Sequence, residues 1–132
     1  MPKAAGVSGS DPLRSIPPTM KPTIEATRRV VMAAAKNASE IAYRSQPPRS
    51  TSAMWKLFRY TVDGEKVVGI GTFDHHSTLF FYRGRELDDG SGLLEGRGKD
   101  ARFIALRTAV DAERPEVKRL LRKAFDRASR KD

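Results

Sequence analysis

The chain has no cysteine, one tryptophan and only two histidines, His75 and His76, which are adjacent. Without cysteine there is no disulfide framework, no thiol nucleophile and no thiolate metal site. No apolar run approaches the roughly 18–20 residues that a membrane-spanning helix needs, and the first residues lack the continuous apolar segment of a secretory signal. We therefore expect a cytoplasmic protein that does not act at a membrane.

Signatures of catalysis are also missing from the sequence. No serine stands in the context of a nucleophile elbow, and the two histidines fall in a predicted turn between strands. In an extended chain, adjacent side chains point to opposite sides, so these two do not easily hold one metal together. We expect that the protein is not an enzyme, and the alternative left open is an enzymatic activity in the loop over residues 86–102.

Positive charge is what the chain does have. It carries 25 Lys and Arg against 16 Asp and Glu, a formal net charge of +9. The surplus lies toward the two ends, whereas residues 74–100 are slightly acidic. Such a surplus attracts polyanions over about a Debye length, but it does not by itself define a nucleic-acid site.

The length of 132 residues suits one domain with a single core. Residues 1–21 are rich in proline, glycine and serine and show almost no apolar periodicity, which predicts a disordered or loosely attached N-terminal arm. The alternative is that a few of these residues pack along the domain surface. Residues 22–132 then form a single α+β domain.

Apolar residues at three- and four-residue spacing predict two helices, over 22–36 and 38–45, with a bend between them. Asn37-x-x-Glu40 has the pattern of a capping box for the second helix. The stretch SQPPRSTS that follows is typical of a linker because proline and hydroxyl residues disfavour helix.

Runs rich in aromatic and β-branched residues then predict four strands, over 54–62, 66–73, 77–84 and 101–108, with Asp63-Gly64 as a hairpin turn. Gly69 and Gly71 share a face of the second strand, where a neighbour such as Trp55 or a helix can press against the backbone.

An amphipathic helix begins near Pro115, a residue well suited to a first helical turn. Its apolar stripe predicts a helix packed on one face of the sheet. The expected fold is therefore α+β, with an N-terminal helix or helix pair, a curved antiparallel meander of four to five strands, and this C-terminal helix. The stripe comprises Val117, Leu120, Leu121, Ala124, Phe125 and Ala128.

The stretch FYRG over residues 81–84, then LDD at 87–89, GLLEGRGK at 92–99 and Arg102-Phe103, resembles the YdhG-like superfamily, a domain of unknown function. The likeness extends over residues 22 to 128 and is specific in 78–107. Members often carry a tryptophan and a proline before the first strand, where this chain has Tyr43 and Pro47-Pro48. The resemblance implies an α+β fold with a curved antiparallel sheet. One branch of this superfamily is frataxin-like, and the resemblance therefore implies a role in handling iron inside the cell.

The glycine-rich loop is the first candidate site. It departs from a Walker-type phosphate loop because Leu93 stands where the first glycine belongs and Asp100 follows Lys99. One interpretation is that Gly96 and Gly98 adopt positive φ to turn the chain while two leucines, at 93 and 94, cover the core. The other is a site for a small anion or ligand, formed by backbone N–H groups and side chains. Its residues are Gly96, Gly98, Lys99 and Arg102.

Two further groups are candidates. Carboxylates are the ligands that hard cations prefer, so Glu86, Asp88 and Asp89 are the candidate metal site, with iron as its candidate ion; the alternative is that they are solvated loop residues. The basic faces of the C-terminal helix suit phosphate contacts, although no aromatic residue accompanies them for base stacking. These polyanion candidates are Lys118, Arg119, Arg122, Lys123 and Arg127.

We thus expect a small binding or accessory protein of the YdhG-like type, with an implied role in iron or metal handling. The alternative is a nucleic-acid-binding protein that uses its basic C-terminal helix. The expected partners are a metal ion, a small anion or a nucleic acid.

Overall fold

The computed structural model of the chain describes residues 16–35, 37–43, 54–87 and 92–129. Helix α1 spans Lys21–Ala34 and is followed by strand β1, Ser39–Ala42. Strands β2, β3 and β4 span Trp55–Val62, Glu65–Thr72 and Ser77–Phe81. Strand β5, Arg102–Leu106, precedes a short helix α2, Ala109–Ala112, and the long helix α3, Pro115–Ser129.

The five strands form one antiparallel sheet in the order β1-β2-β3-β4-β5, a simple meander. The predicted α+β fold is confirmed. Helices α1 and α3 contact each other and lie against strands β2, β3 and β4, so they cover a single face of the sheet. No helix in the described part of the chain is both long and apolar enough to cross a bilayer.

The predicted apolar stripe of α3 is the side that packs on the sheet. Val117, Leu121 and Phe125 are at most 3% exposed, and Leu120 and Ala128 pack against the same core from its edge. The basic residues of α3 face solvent. Hydrophobic burial along this stripe therefore fixes the helix on the sheet.

The prediction of a second helix over 38–45 is wrong where the structure describes it. Residues 39–42 form strand β1, which pairs antiparallel with β2 from Ser39 opposite Thr61 to Ala42 opposite Phe58. The Glu40 side chain does not cap a helix, because it binds Arg28 and Tyr60 instead. Pairing with a neighbouring strand thus outweighs the helical preference of these residues.

The boundary drawn for the N-terminal arm also needs correction. Within residues 1–21, Ile16 is 2% exposed and Met20 is 5% exposed, and both belong to the core. A 3₁₀ turn, Pro18–Met20, leads into α1. The packed domain therefore includes residues 16–21, and residues 1–15 lie outside the described residues.

The connections between the strands follow from the conformations of their turn residues. Asp63 has φ of +51° and Gly64 has φ of +82°, as a tight hairpin turn with two left-handed residues requires. After β4 the chain turns through a 3₁₀ segment, Gly84–Leu87, so the strand predicted over 77–84 ends early. Leu94 is buried and Leu93 is partly buried against the core, which confirms that these two leucines cover it.

Candidate functional site

The register of the sheet divides its residues into two faces. In an antiparallel pair, residues directly opposite each other place their side chains on the same face. One cross-strand row contains Ala42, Phe58, Ile70, Leu79 and Ile104, and it faces the helices, since all but Ala42 are at most 3% exposed.

The neighbouring row lies on the other face of the sheet. It runs from Ile41 through Arg59, Gly69 and Phe80 to Phe103. All except Gly69 are partly exposed. In the described ranges no helix covers this side, and we call it the open face. Its middle row therefore offers two aromatic rings, a glycine and a guanidinium group.

Glycine at the centre of the open face determines where Phe80 lies. A Cβ atom built on Gly69 would stand 2.3 Å from two atoms of the Phe80 ring, so the ring rests directly on the backbone of β3. The predicted close approach of a neighbour to the backbone at Gly69 is confirmed, but the neighbour is Phe80 and not Trp55 or a helix. At Gly71 the corresponding neighbour is the side chain of Met54, at 2.7 Å.

Aromatic residues extend from Phe80 toward β1. The rings of Phe80 and Tyr82 meet edge to face, with 5.3 Å between their centroids. The hydroxyl groups of Tyr82 and Tyr43 are 3.2 Å apart and share a hydrogen bond. Phe80, Tyr82 and Tyr43 thus form one connected aromatic cluster across the sheet.

Cationic side chains surround this cluster. The Arg59 guanidinium lies 5.0 Å from the centroid of the Tyr43 ring, and the Lys56 ammonium lies 5.9 Å from it. The Lys66 ammonium lies 5.7 Å from the centroid of the Tyr82 ring. These distances are within the range of cation–π attraction. Each ring of the pair therefore has at least one positive charge beside it.

The tyrosine pair shows the electrostatic effect of these cations. Burial alone would raise the pKa of Tyr43, but hydrogen bonds with Tyr82 and Arg59, together with the charge of Lys56, hold that pKa below its ordinary value. Burial and the bond to Tyr43 raise the pKa of Tyr82. Either hydroxyl can donate the hydrogen bond that the two tyrosines share, and the surroundings of Tyr43 favour negative charge.

The glycine-rich loop lies at the margin of the open face. Glu95 and Phe103 exchange two backbone hydrogen bonds, of 2.8 and 2.9 Å, so the loop adds a single bridge to the free edge of β5. The carboxylate of Glu95 is therefore on the same face as Phe103, on the far side of β4 from the basic residues of β2.

The candidate anion loop has a different arrangement from a phosphate nest. The Nη1 atom of Arg102 donates to the carbonyl oxygens of Gly98 and Ala101, at 2.6 and 2.7 Å, so this guanidinium holds the turn together. Gly96 has the predicted positive φ, of +121°, but Gly98 does not, and Gly92 has positive φ instead. Lys99 is exposed. Anion binding here stays a prediction.

The candidate metal site is only partly within the described residues. Glu86 approaches Arg83 at 3.9 Å and Arg127 at 3.8 Å, whereas Asp88 and Asp89 lie outside the described ranges. Across the residues that the structure describes, no three His, Cys, Asp or Glu side chains form a metal-binding group. Iron binding also stays a prediction.

Helix α3 packs on the helix-covered side of the sheet, so its basic residues are not part of the open face; Arg127, near the end of α3, lies beside the Gly84–Leu87 turn. All five polyanion candidates are exposed. The structure brings only Arg127 to an acidic partner among the described residues, Glu86. The candidates are Lys118, Arg119, Arg122, Lys123 and Arg127.

Comparison of the chain with known protein families, curated proteins and solved structures found no match. The resemblance to the YdhG-like superfamily is therefore a prediction, and the candidate site is defined by geometry alone.

Proposed function

We propose that the domain binds single-stranded nucleic acid on the open face of its sheet. The observation that carries the proposal is the connected cluster of Phe80, Tyr82 and Tyr43 with basic side chains from β2 and β3 beside it. Nucleic-acid strands are bound by this combination, because bases stack on aromatic rings while cations follow the phosphates.

The dimensions of the face agree with this ligand. Five strands spaced about 4.8 Å apart place Ile41 and Phe103 roughly 19 Å from each other. Four-stranded sheets of RNA-binding domains stack two or three bases on aromatic residues over a similar width. The open face therefore suits a short segment of unpaired strand, while a duplex would hide its bases from the rings.

The alternative site, on α3, supplies charge without stacking. Its five basic residues face solvent, but the aromatic residue of the helix, Phe125, is only 3% exposed. Contacts from α3 would then be limited to phosphates, which gives binding without preference for unpaired strands. The two sites consequently predict different ligands.

The test measures binding of a fluorescent single strand of about ten nucleotides, as RNA and as DNA, by anisotropy over a series of salt concentrations. The substitutions Tyr82→Ala and Phe80→Leu should each weaken binding about tenfold, since stacking of one base contributes roughly 1–3 kcal/mol. Arg59→Gln should make the affinity less dependent on salt.

Lys118→Gln with Arg122→Gln is the matched control, because it removes charge from the opposite side of the molecule. Thermal unfolding of each variant shows whether it folds. If the sheet variants fold and bind as tightly as the wild type, or if duplex binds as well as single strand, the proposal is wrong. A larger loss from the helix variant would favour the alternative on α3.

A further inference from the structure

One cavity lies on the helix-covered side of the sheet, at the edge where Lys66 reaches the open face. It has a volume of about 450 Å³ and lies between β3, the Gly84–Leu87 turn and the end of α3. This volume is in the ordinary range for small-molecule sites. Lys66 belongs to both places, since it lines the cavity and its ammonium lies beside the ring of Tyr82.

The cavity has an apolar floor and a charged rim. Val67, Leu87 and Ala124 form part of the floor and are all buried. The charged residues that line the cavity are Lys66, Arg83 and Arg127 together with the carboxylates Glu65 and Glu86. A flat or apolar group with a negative end fits such a site.

An anionic group, the Glu86 carboxylate, already lies between the two arginines, and Arg83 also pairs with the Glu65 carboxylate at 3.2 Å. The Glu86 carboxylate stands 3.9 Å from Arg83 and 3.8 Å from Arg127, and all three side chains are about half exposed. Ion pairs this long and this exposed contribute little stability. A phosphate can replace the carboxylate at small cost, and guanidinium groups bind phosphate through paired hydrogen bonds.

We infer that this cavity receives the terminal nucleotide of a strand bound on the open face, with its terminal phosphate between Arg83 and Arg127. The inference rests on the proposed function. Lys66 lies beside the ring of Tyr82 and also lines the cavity, so a strand leaving the aromatic cluster at Tyr82 reaches the cavity across the edge of the sheet at Lys66. A terminal phosphate carries more charge than a phosphate within the strand, and this charge favours binding of the strand's end over binding of an internal phosphate.

The experiment compares unlabelled strands of one sequence as competitors for an internally labelled strand. One strand has a 5′-phosphate, one a 3′-phosphate, and one has hydroxyl groups at both ends. One of the phosphorylated strands should compete roughly tenfold better than the hydroxyl strand, as expected when two guanidinium groups bind one phosphate.

Arg127→Gln should abolish this preference, so that the phosphorylated and hydroxyl strands compete equally. Arg122→Gln, on the same helix and also exposed, is the matched control and should keep the preference. Glu86→Gln should increase it, since the competing carboxylate is gone.

A preference below twofold for both phosphorylated strands would overturn the inference, as would a preference that survives in Arg127→Gln. In either case the proposed function stands as long as Tyr82→Ala still weakens binding of the hydroxyl strand. If the wild type binds none of the three strands, the proposed function fails together with the inference.

Discussion

Replacing Glu40 with glutamine should destabilise the protein strongly although the residue lies on an edge strand. The Glu40 carboxylate accepts hydrogen bonds from Nε of Arg28 at 3.0 Å and from Nη2 of Arg28 at 2.7 Å, and a third from the hydroxyl of Tyr60. Arg28 is on α1 and Tyr60 is on β2. The carboxylate therefore joins the helix layer to the sheet.

The magnitude follows from these three bonds. A hydrogen bond to a charged group contributes about 1.5–3 kcal/mol, but the side chains of Arg28 and Glu40 are 34% and 22% exposed, so water weakens each bond. Glutamine keeps one oxygen acceptor and the same shape. We expect Glu40→Gln to lower the free energy of unfolding by about 2 kcal/mol, or the melting temperature by roughly 8 °C.

The loss should depend on pH. Burial alone would raise the pKa of the Glu40 carboxyl, but the hydrogen bonds from Arg28 and Tyr60 outweigh burial and hold that pKa below its ordinary value. A carboxyl with a lowered folded-state pKa stabilises the protein above its unfolded pKa, and this contribution is lost as pH falls through the folded pKa. The difference between wild type and Glu40→Gln should therefore be larger at pH 7 than at pH 3.

Urea denaturation of both proteins at the two pH values measures this difference. Glu113→Gln is the control, because Glu113 is half exposed and makes one contact of 3.5 Å with Arg29; it should cost less than about 0.5 kcal/mol. The reasoning is refuted if Glu40→Gln costs no more than the control at pH 7, or if its cost is the same at pH 3.

Three further substitutions test the fold and the face. Gly69→Ala places a methyl group 2.3 Å from the Phe80 ring, and should cost about 1–3 kcal/mol in chemical denaturation and weaken oligonucleotide binding by displacing that ring. Leu121→Ala, at a fully buried position of α3, should lower the free energy of unfolding by about 2–5 kcal/mol in the same assay. Thr108→Ala removes the capping box that Thr108 forms with Asp111, and should lower stability by about 1 kcal/mol, measured by thermal unfolding.

Local signals were sufficient for most of the fold. Aromatic and β-branched runs around Asp63-Gly64 predict β2 and β3 to within a residue or two, because the turn fixes how the hairpin closes. The apolar stripe of α3 predicts which face of the helix is buried, because residues at i, i+3 and i+4 share one side of a helix. Thr108-x-x-Asp111 was an available signal for α2 that the sequence interpretation missed.

Strand β1 could not be predicted in this way, because its conformation depends on partners that are distant in sequence. Ser39–Ala42 contains ordinary helix-forming residues, and only the pairing with β2 and the bonds from Arg28 and Tyr60 to Glu40 make it a strand. The candidate site also depends on contacts between residues that are distant in the sequence. Phe80 and Gly69 are eleven positions apart in the sequence, and the register of β3 and β4 alone brings them together.

The composition of the open face is costly for a sheet that needs only to fold. Glycine in a strand interior weakens the strand, and β3 carries Gly69 and Gly71 in the middle of the sheet, where β-branched residues would add stability. Phe80 lies in the space that Gly69 leaves, yet its ring is still partly exposed. Departures from the best local choice are expected where a surface serves a ligand. Because the Phe80 ring fills the space above Gly69 and remains partly exposed, it offers the kind of ring surface on which the proposed strand would stack its bases.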